Sequence, residues 1–394
     1  MRWTPSPASP GPGWRCCAPR CINADPSMRI DRLLDLAVRI QQIPAPTFHE
    51  AERARFVREQ WQVLGLPVEQ DETGNVYALL RGSSAGKDVV LSAHLDTVFP
   101  ADTPLNLRRD GERIAGPGIG DNSVAVAALV EVARAALEGN LALQGDVWLV
   151  ANVGEEGLGN LQGMRAVVER FGASPLAYLV LEGMALGTIY HRALGVQRYR
   201  ITAETEGGHS WANYGLPSAI HELARLIAQL DALALPRSPR TSLNAGVFHG
   251  GVSVNTIASQ AWAELDLRSE SSEMLTWLSR QVNFLVGEAN QPGVKVTLES
   301  IGQRPGGEIP VSHPLVRLAA DCLREQGIAP ASFIGSTDAN IPLSRGYPAI
   351  CVGLTRGDRA HTEQEYIETA PLKQGMAFLY ALLDRVWRLD APSA

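Results

Sequence analysis

Three short apolar runs, each about the length of a β-strand, alternate with helical segments in the first half of the chain. This alternation restricts the fold more than any other feature of the sequence. The runs read DVVLSA, DVWLVANV and LAYLVLE, and SVAVAALVEVARAALEG, a helix by length and composition, lies between the first two. Strands that are apolar throughout are typical of parallel sheets covered on both faces by helices. We therefore predict an α/β fold with a mainly parallel sheet flanked by helices.

The pattern changes near residue 193. The runs GVQRYRITAET and AWAELDLRS alternate apolar and polar residues, as half-exposed antiparallel strands do. After about residue 303 the earlier alternation returns, with the strand PAICVGL and a long final helix. A chain of 394 residues is also long enough for two domains. We predict an α+β domain at 193–303, inserted into an α/β catalytic domain that residues 28–192 and 304–394 form together.

The first 27 residues are rich in Pro, Ser and Cys and contain no apolar run of the kind found in secretory signals. We expect this segment to be disordered, or the native chain to begin at Met28. Three of the five cysteines lie within it, and an odd count so distributed does not form a disulfide framework. A reducing cytoplasm is therefore the expected compartment.

Charge and hydropathy exclude two classes of partner. The net charge of −7 gives no basic footprint for nucleic acid. The most apolar helical segment is interrupted by Glu131 and Arg134, which excludes it as a membrane span of about 20 apolar residues. We predict neither a nucleic-acid partner nor a membrane partner.

Residues that can bind a metal ion or transfer a proton follow several of the apolar runs. They are His94 and Asp96 in LSAHLDTVF, Asp121 in GPGIGDN, Glu155 and Glu156 in VGEEG, Glu182 in LVLE and His361 in RGDRAHTEQEYI. Taken alone, Asp121 is equally suited to cap the following helix, and His94 to a surface turn. Together, because ligand sites in open α/β sheets lie at the carboxyl ends of strands, these residues predict a common site. Two imidazoles and several carboxylates suit zinc or a similar ion, and the carboxylates suffice for two ions.

The adjacent glutamates of VGEEG would repel each other if both were buried without a cation. A metal site gives them separate tasks. One carboxylate can bind an ion, while its neighbour remains free to take a proton from a water molecule.

The motifs HLDTV, GPGIGDN, GEEGLGN, VLEG and AHTEQEYI, in this order, resemble those of the M20 family of metallopeptidases and deacylases. The similarity extends from about Met28 to the C-terminal helix. It implies two divalent ions, zinc or alternatively cobalt or manganese. By this resemblance, His94 and Glu182 would bind one ion, Glu156 and His361 would bind the other, and Asp121 would bridge both and be followed by a cis peptide bond. Asp96 would orient His94, and Glu155 would be the general base.

The same resemblance identifies residues 193–303 as a lid or dimerisation domain, through which we expect a homodimer. His209, in TEGGHSWANYG, would stabilise the oxyanion, in some relatives within the partner subunit's active site. Asn255 and Arg268 become candidates for substrate binding, since arginine suits a substrate carboxylate. Without the resemblance, a loop residue is the favoured interpretation of His209, and an edge charge is the competing interpretation of Arg268. Ser336, Thr337 and Asn340 are further candidates for the substrate pocket.

The runs GEEGLGNLQG and GSTDANIPLSRGYPAICVGL are most similar to the peptidase T branch of the family. That branch usually has Asp at position 182, whereas Glu182 is typical of its carboxypeptidases and deacylases. The leading hypothesis is an exopeptidase, of the aminopeptidase kind, that acts on small peptides. Carboxypeptidase activity and the deacylation of N-acyl amino acids are the alternatives. A non-catalytic binding relative is disfavoured, because the base and all the ligand candidates are present.

Overall fold

The computed structural model describes residues 26–83 and 86–389. The expectations for the N-terminal segment and its cysteines lie outside these residues, except that the first helix already begins at Pro26. The helices are α1 Pro26–Gln41, α2 Ala51–Val63, α3 Val124–Leu137, α4 Gln162–Phe171, α5 Ala219–Asp231, α6 Ser272–Glu288, α7 Pro314–Glu325, α8 Asn340–Ser344 and α9 Leu372–Arg385. None of the helices in the described ranges is both long enough and apolar enough to cross a membrane.

A mixed sheet, here called the central sheet, forms the middle of the larger unit. Its strands are β1 Val68–Gln70, β2 Val76–Leu80, β3 Val89–His94, β6 Val147–Asn152, β7 Ala177–Glu182, β8 Thr188–Ala193, β15 Gly307–Glu308, β16 Ala331–Gly335 and β17 Ala349–Gly353. Their order is β1-β2-β6-β3-β7-β17-β8-β15, and β16 pairs with β8. The four strands from β6 to β17 run parallel. The predicted α/β fold with a mainly parallel sheet is confirmed.

The apolar runs are buried because helices cover the central sheet. Every residue of β3 is buried, as is nearly every residue of α3. Glu131, on α3, is also buried, and it forms an ion pair with Arg32 of α1. The continuous apolar character of these segments therefore follows from the lack of a solvated face.

A second sheet is wholly antiparallel. Its strands are β9 Gly195–Thr205, β11 Thr241–Gly250, β13 Gln260–Ser269 and β14 Val294–Arg304, in the order β11-β13-β9-β14. Helices α5 and α6 pack on it around an apolar core separate from that of the central sheet, with Leu223 and Leu278 among its buried residues. Burial along β13 alternates, as the period-two pattern predicts. The domain boundaries and the lid or dimerisation role remain predictions.

Two small sheets complete the described fold. One has the order β18-β19-β5-β4 and consists of β4 Arg108–Asp110, β5 Arg113–Ala115, β18 Gly357–Asp358 and β19 Tyr366–Glu368. The other pairs β10 Gly208–His209 with β12 Thr256–Ile257. Asp121 follows β5, and His361 lies between β18 and β19. Because β5 pairs with β19, the loops that carry these two residues lie side by side.

Candidate metal centre

The predicted ligand residues meet at one edge of the central sheet. His94 is the last residue of β3 and Glu182 the last of β7, and these strands are parallel neighbours. Strand β6, on the other side of β3, leads directly into Glu155 and Glu156. The carboxyl ends of parallel strands thus bring an imidazole and three carboxylates together.

Asp121 lies between two imidazoles. Its Oδ1 is 3.1 Å from Nε2 of His94, and its Oδ2 is 3.2 Å from Nε2 of His361. Glu182 Oε2 is 3.7 Å from Nε2 of His94, and Glu156 Oε1 is 3.2 Å from Nε2 of His361. The structure therefore contains two groups of three potential ligands that share Asp121.

A third potential ligand group consists of His94, Glu155 and Glu156. Both glutamates are buried, with 5% of each residue exposed. Distance alone thus allows either glutamate to reach an ion, although only Glu156 contacts His361. The division of tasks between the two residues therefore stays a prediction.

The donor chemistry fits divalent cations. Burial raises the pKa of Glu182 to about 7, despite its hydrogen bond with His94. Burial also acts to raise the pKa of Asp121, but hydrogen bonds from His361 and His94 outweigh it and hold that pKa below its usual range. Hydrogen bonds to Asp121 and Glu156 raise the pKa of His361 to about 10. The pKa values of both imidazoles are raised because the neighbouring carboxylates favour positive charge, and a divalent ion bound at the site would supply such charge.

Asp96 holds the two glutamates rather than acting only on His94. It is fully buried, and its Oδ1 and Oδ2 accept the backbone N–H groups of Glu155 and Glu156 at 3.0 and 2.9 Å. Nδ1 of His94 is 3.1 Å from the backbone oxygen of Asp96 and 3.5 Å from its carboxylate. A proton on Nδ1 would leave Nε2 of His94 free for a metal ion.

Glu365 is part of the site that sequence reasoning missed. Its Oε1 accepts the N–H groups of Gly120 and Asp121 at 2.7 and 2.8 Å, and the residue is fully buried. Glu365 thus joins the loop of Asp121 to the loop in which His361 lies. The peptide bond between Asp121 and Asn122 is cis, as the resemblance implied. The only sequence signal is a carboxylate four residues after His361.

Arg304 is the second residue that was missed. It ends β14 of the second sheet, and its Nη1 donates to Glu155 Oε1 at 3.0 Å. Burial raises the pKa of Glu155 well above its usual range, and the positive charge of Arg304 opposes that rise. The sequence offers only an arginine at the predicted domain boundary.

The predicted ligand residues line a cavity of about 500 Å³. Three arginines from neighbouring strands of the second sheet line it as well: Arg198, Arg268 and Arg304. Arg268 Nε and Nη2 donate to Asp266, and Ser336 and Thr337 also face the cavity. Among the substrate-binding candidates, Arg268 therefore lies where a substrate can reach it.

Asn340 occupies a different place from the one expected. It is fully buried, and its amide nitrogen donates to the carbonyl oxygens of Leu194 and Pro305. Its Oδ1 accepts the N–H of Thr337 at 3.0 Å. All its side-chain donors and acceptors are engaged inside the protein, so Asn340 fixes the backbone beside the cavity and is not among the residues that line it.

His209 and Asn255 lie together but away from the cavity. Strands β10 and β12 pair His209 with Thr256, the residue after Asn255, and Ser210 N donates to the backbone oxygen of Asn255 at 3.0 Å. Both residues are exposed, and neither is among the described residues that line the cavity. The side chains of Trp211 and Tyr214 nearby are 86% and 90% exposed. Within one chain, His209 does not reach the ligand cluster.

Comparisons with known proteins agree with this geometry. The profile of peptidase family M20/M25/M40 matches residues 90–385. A probable carboxypeptidase of Aspergillus flavus is 28% identical over 270 residues, which are 60% of this chain and 63% of that protein. The structure of a Staphylococcus aureus tripeptidase is similar with a TM-score of 0.78 and 23% identity, over 91% of this chain and 99% of that one.

A Bacillus subtilis protein described as a dinuclear metal-binding peptidase of the M20 family is also similar in structure. Its TM-score is 0.69 at 16% identity, over 92% of this chain and 99% of that one. Likeness at such low identity concerns the fold, while the family profile covers most of the chain. The resemblance inferred from the motifs is thus confirmed: the chain belongs to peptidase family M20/M25/M40 and is a metallohydrolase of that family.

Proposed function

We propose that this protein is an exopeptidase of the aminopeptidase kind that hydrolyses an amide bond in small peptides. The observation that carries the proposal is Asp121, which presents one oxygen to each of two imidazoles while Glu155 lies beside the same cluster. A carboxylate placed in this way suits a bridge between two divalent ions. Purified apoprotein should gain turnover when zinc, or alternatively cobalt or manganese, is added.

The ligand assignment follows the two groups that share Asp121. His94 and Glu182 would hold one ion, and Glu156 and His361 the other. When bound, divalent ions in such a site lower the pKa of a water molecule and polarise the substrate carbonyl. Glu155 would take the proton of the attacking water and transfer it to the leaving nitrogen. Arg268 would bind a free carboxylate of the substrate, since it lines the cavity and only its Nε and Nη2 donate to Asp266.

We further propose that His209 acts in the cavity of a second subunit, in a homodimer formed through residues 193–303. Two observations support this. His209 is exposed and apart from the cavity of its own chain, and exposed Trp211 and Tyr214 lie in the same segment. His209 would stabilise the oxyanion that forms when water attacks the carbonyl.

Subunit complementation tests the shared site. In a heterodimer of Glu155→Ala and His209→Ala chains, one site combines an intact base with an intact histidine from the partner. A mixture re-equilibrated at equal amounts should regain about a quarter of the wild-type activity, because half the dimers carry one of two sites. If the mixture stays as inactive as its parents while dimers exchange, His209 does not act across subunits.

A substrate panel tests the activity itself. Metal-loaded protein is offered free di- and tripeptides, the same peptides with an amidated C-terminus, peptides with an acetylated N-terminus, and N-acetyl amino acids. We expect turnover of the free peptides, with amidation raising KM because Arg268 loses its partner. Loss of turnover on N-acetylation would identify an aminopeptidase. Turnover of N-acetyl amino acids without turnover of peptides would show that the peptidase proposal is wrong.

A second candidate is a carboxypeptidase or a deacylase of N-acyl amino acids. The specific observation in its favour is the arginine-lined side of the cavity, which suits a carboxylate next to the scissile bond. The panel separates this candidate as well, because a carboxypeptidase accepts N-acetylated peptides and rejects amidated ones.

A further inference from the structure

Arg304 belongs to one sheet and acts on the active site of the other. It is the last residue of β14, where it pairs with Val196 of β9, and Pro305 follows it. Only 7% of the residue is exposed, and its side chain lines the cavity. A charged side chain buried to this degree needs a partner, and the partner here is Glu155.

The guanidinium group of Arg304 contacts Glu155 at two points. Nη1 donates to the side-chain oxygen Oε1 at 3.0 Å, and Nη2 donates to the backbone oxygen of the same residue. Nη1 also lies 3.2 Å from Oγ of Ser336. The planar group of arginine offers two nitrogens in a fixed geometry for these two points, whereas an ammonium group offers a single nitrogen.

These contacts leave one oxygen of Glu155 available. Its N–H is already bound by Asp96, and its backbone oxygen and Oε1 by Arg304. Oε2 accepts no hydrogen bond from any residue that the structure describes, and Glu155 lines the cavity. The backbone of Glu155 and one of its carboxylate oxygens are thus both held, which restrains the side-chain torsions and leaves Oε2 as the free acceptor.

We propose that Arg304 is a positioning residue for Glu155: it fixes the carboxylate so that Oε2 can accept a proton from the attacking water. The inference rests on the proposed function, in which Glu155 is the base. Because Arg304 ends a strand of the second sheet, it also makes the orientation of the base depend on how that sheet lies against the central sheet.

The chain offers a matched control at the same junction. Arg165 of α4 donates to the backbone oxygen of Gln303, the residue before Arg304, and to that of Asn160. It ties the end of β14 to the central unit without touching Glu155. Loss of Arg165 therefore reports the effect of loosening the junction alone.

The first experiment compares Arg304→Ala, Arg304→Lys and Arg165→Ala in metal content, thermal unfolding and kinetics on the best substrate of the panel. Displacement of a reacting group by about 1 Å can cost about 100-fold in rate. We expect Arg304→Ala to lower kcat by about that factor, with KM within about threefold of wild type and with unchanged metal content. Arg304→Lys should recover kcat only in part, and Arg165→Ala should keep the wild-type kcat.

A double-mutant cycle tests whether Arg304 acts through the base. If it does, Arg304→Ala lowers kcat in the wild-type background and has no further effect in Glu155→Ala. Equal losses in both backgrounds would overturn the inference. If Arg304→Ala does not fold, Arg304→Lys carries the same cycle with the same expected sign.

Three further outcomes distinguish a failure of this inference from a failure of the proposed function. If Arg304→Ala raises KM for substrates with a free carboxylate and leaves kcat unchanged, Arg304 is a substrate contact and the positioning role is wrong. If Glu155→Ala loses turnover while Arg304→Ala keeps the wild-type kcat, only the inference on Arg304 fails. If Glu155→Ala itself keeps turnover, the proposed function fails.

Discussion

At the scale of single residues, Asp96 shows how much of the site rests on one buried carboxylate. It accepts the N–H groups of both adjacent glutamates and also the hydroxyl of Thr47, at 2.9 Å. The loop VGEEG follows a strand, and its backbone N–H groups donate to side chains: that of Val153 to Asn75, that of Gly154 to Glu50, and those of Glu155 and Glu156 to Asp96. Asp96 therefore supplies two of the acceptors that this buried turn requires.

Removal of Asp96 should destabilise the protein even without metal. Asp96→Ala leaves two buried N–H groups unpaired, at about 1–3 kcal/mol each, so we expect the free energy of unfolding to fall by about 2–6 kcal/mol. Urea unfolding of metal-free protein measures the loss. Thr47→Val removes only one hydrogen bond to the same carboxylate and should cost about 1 kcal/mol. Equal losses in the two variants would show that the backbone contacts of Asp96 contribute nothing.

Glu365 should control how tightly the centre retains metal. Glu365→Ala leaves the N–H groups of Gly120 and Asp121 without their acceptor, so the Asp121 carboxylate is no longer fixed in the position that a metal ion requires. Loss of such supporting contacts typically weakens metal affinity by about 10–100-fold. Glu365→Gln keeps an oxygen that can accept both bonds and should retain most of the affinity. Chelator competition measures both variants, and wild-type affinity in Glu365→Ala would contradict this role.

The clustering of the predicted ligand residues could be anticipated because each ends a recognisable strand or lies in a motif, as His94 and Glu182 do. Arg304 and Glu365 could not, because their partners lie far away in the sequence. The pairs Arg304–Glu155 and Glu365–Asp121 are separated by 149 and 244 residues. Contacts at such separation depend on packing, which no local pattern encodes.

At the scale of elements, a glycine in α9 shows how closely helices pack on the central sheet. A Cβ atom on Gly375 would lie 1.7 Å from the backbone oxygen of Leu354, just after β17. In an exposed helix, alanine in place of glycine stabilises by about 0.5–1 kcal/mol. At Gly375 the close contact with Leu354 reverses this effect, so alanine should lower the free energy of unfolding.

We therefore expect Gly375→Ala to lower the free energy of unfolding by at least about 1–3 kcal/mol, because backbone at the contact must move. Gly287, exposed on α6 with nothing within 4 Å of its Cβ position, is the control. Gly287→Ala should raise the free energy of unfolding by about 0.5–1 kcal/mol. Denaturant unfolding compares the two, and a stabilised Gly375→Ala would mean that α9 does not pack on β17 in this way.

An ion pair in the second sheet should make the stability of the protein depend on pH in the acid range. Burial acts to raise the pKa of Asp266, but hydrogen bonds from Arg268 and the charge of Arg198 outweigh it and lower that pKa. A carboxyl whose pKa is lower in the folded state stabilises above its unfolded pKa of about 3.9 and loses this effect as pH falls through the folded value. The Tm difference between wild type and Asp266→Asn should thus be constant from pH 7 to about pH 5 and shrink below about pH 4. A difference that persists to the lowest pH reached would contradict the ion pair.

Among the elements, the long strands and helices were predictable from their periodicity, including the change of pattern near residue 193. The small sheet of β4, β5, β18 and β19 was not. Its strands have two or three residues, which is too short for a period of two to appear. Yet this sheet brings the loops of Asp121 and His361 together.

At the scale of the whole molecule, two sheets with separate cores meet at one cavity. The ends of central-sheet strands supply His94 and Glu182 of the predicted ligand cluster, and the second sheet supplies three arginines that line the same cavity. The sequence predicts both units, because each has its own hydrophobic pattern. It does not predict which side chains cross between them, since Arg304 and Arg198 contact residues of the GEEG loop only in the folded chain.

The central claim is that the adjacent glutamates have different tasks, with Glu156 as a metal ligand and Glu155 as the base. The distances support this division through the contact between Glu156 and His361, while Glu155 lies close enough to compete. Substitution by glutamine keeps the size of each side chain and removes its charge. The two variants therefore differ only in which of the adjacent carboxylates is lost.

The decisive measurement is the metal content of Glu155→Gln and Glu156→Gln by elemental analysis, with turnover measured on the same samples. We predict that Glu155→Gln retains the wild-type metal content and loses about 10²–10⁴-fold in kcat, the usual contribution of a general base. Glu156→Gln should lose metal together with activity. Metal loss in Glu155→Gln with full occupancy in Glu156→Gln would contradict the account and reverse the two roles.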